Sequence, residues 1–190
     1  MQKRILLVVV IFAWLSFGSR ICIAQEVVHA LTGTVAATNP TAHTITVKTD
    51  DGSEGLFRDM GATQTKISFD KAIEAQAKPA DKFATVGSRV IVYYFGDGDV
   101  RTAVAVKDLG AASLQRSAGT VTKFDRHHHL LTLKDSAGQT EEITVDENTS
   151  VDTTDGVVQG LKYEANKGDQ VRVTWAATNG RNTALFIYAD

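Results

Sequence analysis

The sequence predicts an all-β protein in which one small barrel is built twice. Three observations support this: segments of alternating polar and apolar residues, residues that recur at a fixed spacing, and an ordinary globular composition. Alternation is typical of a strand with one buried face, because successive side chains point to opposite sides of a sheet. With 43% hydrophobic and 22% charged residues, the chain is too apolar to be disordered.

The first 24 residues are predicted to be a secretory signal peptide. Lys3 and Arg4 precede an apolar run from Ile5 to Leu15, and small and polar residues follow it. An uncleaved membrane anchor is the alternative, but a span needs roughly 18 to 20 apolar residues. We therefore expect cleavage after Ala24 and a periplasmic or secreted protein that is not membrane-spanning after cleavage.

Removal of the signal peptide makes the chain more acidic. The full sequence has 20 Lys and Arg against 22 Asp and Glu. The segment removes three basic residues and no acidic one, which leaves 17 against 22, a formal charge of −5. Nucleic acid is not an expected partner, because its phosphates repel an acidic protein. The single Cys, Cys22, leaves with the signal peptide, so neither disulfides nor thiol chemistry are expected.

Residues 86 positions apart match over the first part of two predicted modules, and residues 81 apart match over the rest. The difference of five lies between Thr65 and Val86. The matched pairs include Gly33-Thr34-Val35 with Gly119-Thr120-Val121, His43 with His129, Lys48 with Lys134, Gly87 with Gly168, and Tyr94 with Trp175. We interpret this register as a duplication of one module.

Five short strands are predicted in each module from the alternation and from Asp-Gly and Asn-Gly turn signals. The predicted strands are 31–37, 43–49, 55–60, 88–95 and 100–107, followed by 117–124, 129–135, 140–145, 169–176 and 182–189. Helix-forming residues from Ser68 to Lys78 predict a helix that ends at Pro79. The matching interval, Asp152 to Asn166, holds Gly156 and Gly160 and is predicted to be a loop.

A five-stranded antiparallel barrel with a helix or loop between strands three and four is the plan of an OB-fold. The predicted fold is therefore two tandem five-stranded OB-like barrels, the first with a short helix between strands three and four. The predicted domains are a signal peptide (1–24), a first barrel (25–108), a linker (109–116) and a second barrel (117–190).

The pattern of these modules resembles a bacterial family of exported OB-like barrel domains, which often occur in tandem. The matching features are the two Gly-Thr-Val segments, Thr63 and Thr149, Gly87-Ser88-Arg89-Val90 and Gly168-Asp169-Gln170-Val171. The resemblance implies a fold and a compartment. It implies no activity and no catalytic residues, because that family is itself of unknown function.

Aromatic residues raise the question of a ligand-binding face. OB-type barrels stack bases or sugars on exposed aromatic side chains. Tyr94 and Trp175 continue inward-facing series and are predicted to be core residues. Four aromatic residues have the opposite parity and are candidate ligand contacts that are either open to solvent or buried between the barrels, namely Tyr93, Phe95, Phe186 and Tyr188.

A run of three histidines is the candidate metal site. In a strand, His127 and His129 would lie on one face and could bind Zn, Cu or Ni together, whereas His128 would point away. The alternative is a solvated hairpin between Val121 and Leu131. No cofactor is expected.

These observations favour a non-catalytic, exported binding or interaction module of the bacterial cell envelope. Its ligand would lie on an open barrel face or in the groove between the barrels, and its partner would be an unknown envelope protein or glycan. The two alternatives are a metal-binding protein that uses the histidine run and an enzyme with a site between the barrels. Common nucleophile, zinc-protease and phosphate-binding motifs are absent from the sequence.

Overall fold

The computed structural model describes residues 25–61, 66–80, 85–110, 113–178 and 180–189. The predicted signal peptide lies outside the described residues. The elements of the N-terminal half are β1 (Glu26–Val27), β2 (His29–Asn39), β3 (Thr44–Thr49), β4 (Glu54–Asp59), β5 (Ile67–Ser68), α1 (Lys71–Glu74), β6 (Lys78–Pro79), β7 (Arg89–Phe95) and β8 (Val100–Asp108). Those of the C-terminal half are β9 (Leu114–Asp125), β10 (Leu130–Lys134), β11 (Thr140–Thr144), β12 (Ser150–Thr153), β13 (Gly156–Gln159), a 3₁₀ turn (Gly160–Lys162), β14 (Gln170–Thr178) and β15 (Arg181–Ala189).

Each half contains a ring of five strands. In the N-terminal barrel the order is β4-β3-β2-β7-β8, and parallel pairing of β4 with β8 closes the ring. In the C-terminal barrel the order is β11-β10-β9-β14-β15, and the Thr144–Thr183 pair joins β11 to β15. The remaining neighbours within the rings are antiparallel. The prediction of an all-β fold with two OB-like barrels is therefore confirmed.

Apolar side chains of alternate strand residues fill each barrel. The N-terminal core contains Val35, Ile45, Val47, Phe57, Val90 and Val92, and the C-terminal core contains Val121, Leu131, Leu133, Ile143, Val171 and Val173. Tyr94 and Trp175, which we predicted to face inward, pack partly buried against these two cores.

Residues that match in the sequence occupy the same places in the two rings. A Cβ atom on Gly33 would lie 2.4 Å from the carbonyl oxygen of Lys48, and one on Gly119 would lie 2.4 Å from that of Lys134. Glycine is therefore required for β2 to approach β3, and β9 to approach β10, this closely. The duplication itself stays a prediction from the sequence.

Two predicted connections differ from the structure. The predicted helix, Ser68 to Lys78, is reduced to a single turn, α1, whose start is capped by the Asp70 carboxylate, which accepts a hydrogen bond from the Ala72 N–H. The predicted loop from Asp152 to Asn166 is wrong in its first part, where β12 and β13 form a hairpin. Gly156 does not break this hairpin, because its φ of 105° makes the turn.

The hairpin packs the C-terminal half against the N-terminal barrel. The Val157 N–H donates to the Val28 carbonyl (2.8 Å), and the hydroxyl groups of Tyr93 and Ser150 lie 2.7 Å apart. An inter-barrel cluster of buried side chains surrounds these bonds, made of Val28, Ala30, Ile73, Ile91, Tyr93, Ala105, Val157 and Phe186. Strand β7 is thus buried on both faces, one toward its own barrel core and one toward this cluster.

The predicted linker, residues 109–116, begins directly after β8. Strand β9 begins at Leu114 and so includes the last three residues of that segment. The domain boundaries otherwise stay a prediction.

Candidate binding cleft between the barrels

An open cleft of about 440 Å³ lies between the two barrels. The N-terminal barrel contributes β2, the turn that follows β3, and one residue each of β7 and β8. The C-terminal barrel contributes β9, β14 and β15. The lining residues are Ala30, Leu31, Thr32, Thr49, Asp50, Asp51, Ser53, Tyr94, Arg101, Arg116, Ser117, Ala118, Arg172, Val173, Thr174, Phe186 and Tyr188.

Asp50 joins the two walls of the cleft. Its carboxylate accepts hydrogen bonds from Thr32 (2.6 Å) and Arg89 (3.0 Å) of the N-terminal barrel. From the C-terminal barrel, Arg116 donates at 2.5 Å and Thr174 at 3.4 Å. One carboxylate therefore neutralises guanidinium groups from both halves of the chain.

Asp51 is held by its own turn. Its carboxylate accepts hydrogen bonds from the Thr49 hydroxyl (2.5 Å), the Ser53 N–H (2.9 Å) and the Ser53 hydroxyl (2.7 Å). These bonds, with a smaller contribution from the positive charge of Arg172, lower the pKa of Asp51 to about 2. Asp51 is therefore ionised throughout the physiological pH range. The turn that holds Asp51 also forms part of the cleft wall.

Two other arginines in the cleft lie over aromatic rings. The Arg101 guanidinium carbon is 5.0 Å from the ring centre of Tyr94, and that of Arg172 is 4.3 Å from the ring centre of Tyr188. Arg101 also borders a second cavity, whose lining includes Glu54 and Asp99. Within the described ranges, no carboxylate lies within 4.0 Å of either guanidinium.

Three of the four aromatic candidates, Tyr93, Phe186 and Tyr188, belong to the inter-barrel cluster or pack against it, whereas Phe95 does not. Tyr93 is fully buried, and Phe186 is 5% exposed, and both belong to the inter-barrel cluster. Tyr188 is half-buried at the edge of that cluster, and Phe95 is 8% exposed. Phe186 and Tyr188 line the cleft, whereas Tyr93 and Phe95 do not. Burial of Tyr93 raises the pKa of its hydroxyl to about 12.

The histidine run lies in the turn that joins β9 to β10, and not in a strand. His127 and His128 are exposed, and the Asp125 carboxylate accepts hydrogen bonds from both of their backbone N–H groups (3.1 Å each). His129 has a φ of 49°, as His43 has 51° at the matching position. Strand alternation therefore does not bring His127 and His129 together, and their metal binding stays a prediction. Across the part of the chain that the structure describes, no three His, Cys, Asp or Glu residues are grouped to hold a metal ion.

Sequence reasoning missed the arginines of the cleft. Asp50 and Arg116 are 66 positions apart, and Asp50 and Thr174 are 124 apart, so no local motif connects them. The available signal was a charged residue within a predicted strand, as Arg101 is in 100–107 and Arg172 is in 169–176.

Comparisons with known proteins identify no family. No family model and no curated protein matches the chain. A crystal structure of Ag(I)CusF is similar at 15% identity and a TM-score of 0.32, over 41% of this chain and 99% of that chain. The strand order of the two rings supports the predicted family resemblance only as far as the small β-barrel plan. Among the described residues, no helix is long and apolar enough to span a membrane.

Proposed function

We propose that this protein is a non-catalytic, exported binding module of the cell envelope, whose ligand lies in the cleft between the two barrels. The observation that carries the proposal is the cleft itself, which residues of both barrels line. Its volume of about 440 Å³ lies within the range of small-molecule sites, roughly 300 to 1,000 Å³. Its lining combines apolar side chains with a few charged ones, as such sites do.

The charged groups of the cleft favour binding over catalysis. A general acid or base works best when its pKa is close to the working pH. The pKa of Asp51 is about 2, far below the working pH of a general acid or base. The cleft lining contains no His and no Cys among the described residues.

Ligand screening by ¹H–¹⁵N NMR tests the proposal. The purified protein would be titrated with a library of neutral and charged small molecules and oligosaccharides. We expect shift changes that cluster on β2, β14 and the Asp50 turn. Zn, Cu and Ni would be titrated separately, and shifts confined to the turn from His127 to His129 would favour the metal-binding alternative instead.

A matched pair of variants shows whether the cleft is the site. Ala118 is exposed and lines the cleft, so Ala118→Trp should fill it and abolish binding. Ala137 is exposed in the turn between β10 and β11, outside the cleft, so Ala137→Trp should bind normally. Binding that survives Ala118→Trp, or a library with no binder, would contradict the proposal.

A further inference from the structure

We propose that the ligand of the cleft is a small organic anion, whose carboxylate or phosphate group is bound by Arg101 and Arg172. This inference rests on the proposed function and adds to it the chemical class of the ligand.

Most polar groups of the cleft are already hydrogen-bonded within the protein. The Thr32 hydroxyl donates to Asp50, and the Ser53 hydroxyl donates to Asp51. Ser117 donates to Glu141 and accepts a hydrogen bond from the Trp175 indole N–H. These groups have little capacity left for a ligand.

Arg101 and Arg172 differ from these groups, because their guanidinium N–H groups are not all used up by hydrogen bonds within the protein. Each guanidinium carries five N–H donors, and a planar fork of this kind matches a carboxylate or a phosphate. The rings of Tyr94 and Tyr188 contact their faces, and Arg101 also donates to the Tyr94 hydroxyl, so the remaining N–H groups are the donors available to a ligand. No described carboxylate lies within 4.0 Å of either group, and the charge of Arg172 acts on Asp51 only from a greater distance, so both guanidinium groups can pair directly with an anion.

The charge of the cleft is opposite to that of the chain. Three arginines and two aspartates line the cleft, whereas the whole sequence has a formal charge of −2. A cleft with walls of low dielectric constant concentrates such a local field. Leu31, Val173 and Phe186 supply an apolar surface in the same cleft, so the anion has room for an apolar body.

Three probes of similar shape test the inference by calorimetry: benzoate, phenyl phosphate and neutral benzamide. We expect at least one anion to bind, and benzamide to bind at least about tenfold more weakly, since hydrogen bonds to charged groups are the stronger ones. The anion that binds more tightly identifies the charged group. Binding should weaken as salt is raised from 0.05 to about 0.5 M, because salt screens partly exposed charges.

Variants of the arginines assign the site. Arg101→Gln and Arg172→Gln should each weaken binding of the preferred anion by about tenfold or more. Arg126→Gln is the matched control, because Arg126 forms an exposed ion pair with Glu164 outside the cleft, and binding should not change. Circular dichroism would check that each variant is folded.

The possible failures are distinguishable. Equal binding of benzamide and benzoate that is abolished by Ala118→Trp would overturn the anion assignment and leave the cleft as the site. Absence of binding by both anions would also overturn the anion assignment, whereas binding that survives Ala118→Trp would overturn both proposals.

Discussion

Replacement of Gly156 by Ala tests how the two barrels are joined. Gly156 begins β13 with a φ of 105°, and a Cβ atom there would lie 2.6 Å from Cγ1 of Val27 and 2.9 Å from the carbonyl oxygen of Val28. Both contacts cross from the C-terminal half to the N-terminal half of the chain. The Val28 backbone cannot shift away without breaking a hydrogen bond, because its carbonyl accepts the inter-barrel bond from the Val157 N–H.

The loss of unfolding free energy expected for Gly156→Ala has two contributions. An L-residue in the left-handed region costs about 1–2 kcal/mol. Overpacking of a closely packed contact costs about 1–3 kcal/mol more. Gly52 provides the matched control, because it has a similar φ of 91° and nothing within 4 Å of its Cβ position. Gly52→Ala should therefore show only the backbone cost, and Gly156→Ala should lose about 2–5 kcal/mol of unfolding free energy in total.

Urea unfolding followed by far-ultraviolet circular dichroism measures both changes. Val27→Ala removes the nearer of the two contacts, so the double variant Gly156→Ala/Val27→Ala should recover part of the loss beyond additivity. Equal destabilisation by Gly156→Ala and Gly52→Ala would refute the reasoning, since the hairpin would then not be packed against β1 and β2 as described.

Three further changes give measurable outcomes. Tyr93→Phe and Ser150→Ala should each lower the free energy of unfolding in urea by about 1–2 kcal/mol, because each leaves a buried hydroxyl without its partner. The double variant should lose less than the sum of the two single losses, and strict additivity would contradict this. Asp50→Ala should cost about 1–2 kcal/mol, because it leaves two guanidinium groups unpaired, and an unchanged urea midpoint would contradict it. Burial raises the pKa of Asp152 to about 6, against the opposing effects of the His29 imidazole 3.1 Å away and of the Ala30 N–H, so the folded state binds a proton more tightly than the unfolded state does. This contribution to stability is lost as pH rises from about 4 to 6. Asp152→Asn should remove this loss, so its urea midpoint relative to the wild type should be higher at pH 7 than at pH 4; the same difference at both pH values would contradict the assignment.

The barrels could be predicted from the sequence because strand alternation is a local signal. Val90, Val92 and Tyr94 alternate with residues of the opposite face, and a two-residue period defines which side chains enter the barrel. The opposite face of the same strand was harder to interpret. Tyr93 is fully buried because a second barrel covers it, and parity alone does not separate a solvent-facing residue from an interface residue.

The hairpin and the cleft could not be predicted in the same way. Gly156 and Gly160 indicate a loop when only local preference is considered, but Gly156 makes the tight turn of a hairpin and Gly160 is buried beside Thr149. The cleft depends on contacts between residues far apart in the chain. Asp50 belongs to a turn of one barrel, and its partner Arg116 belongs to a strand of the other.

Matching positions on the outward faces of β7 and β14 differ in character. At a spacing of 81 residues, Ile91 corresponds to Arg172 and Tyr93 to Thr174. The N-terminal barrel buries its pair in the inter-barrel cluster, whereas the C-terminal barrel places its pair along the cleft. The two barrels are therefore not interchangeable. A chain built from two N-terminal barrels would leave the apolar outer face of β7 exposed and would self-associate. A chain built from two C-terminal barrels would lack the apolar residues of β7 that hold the two halves together.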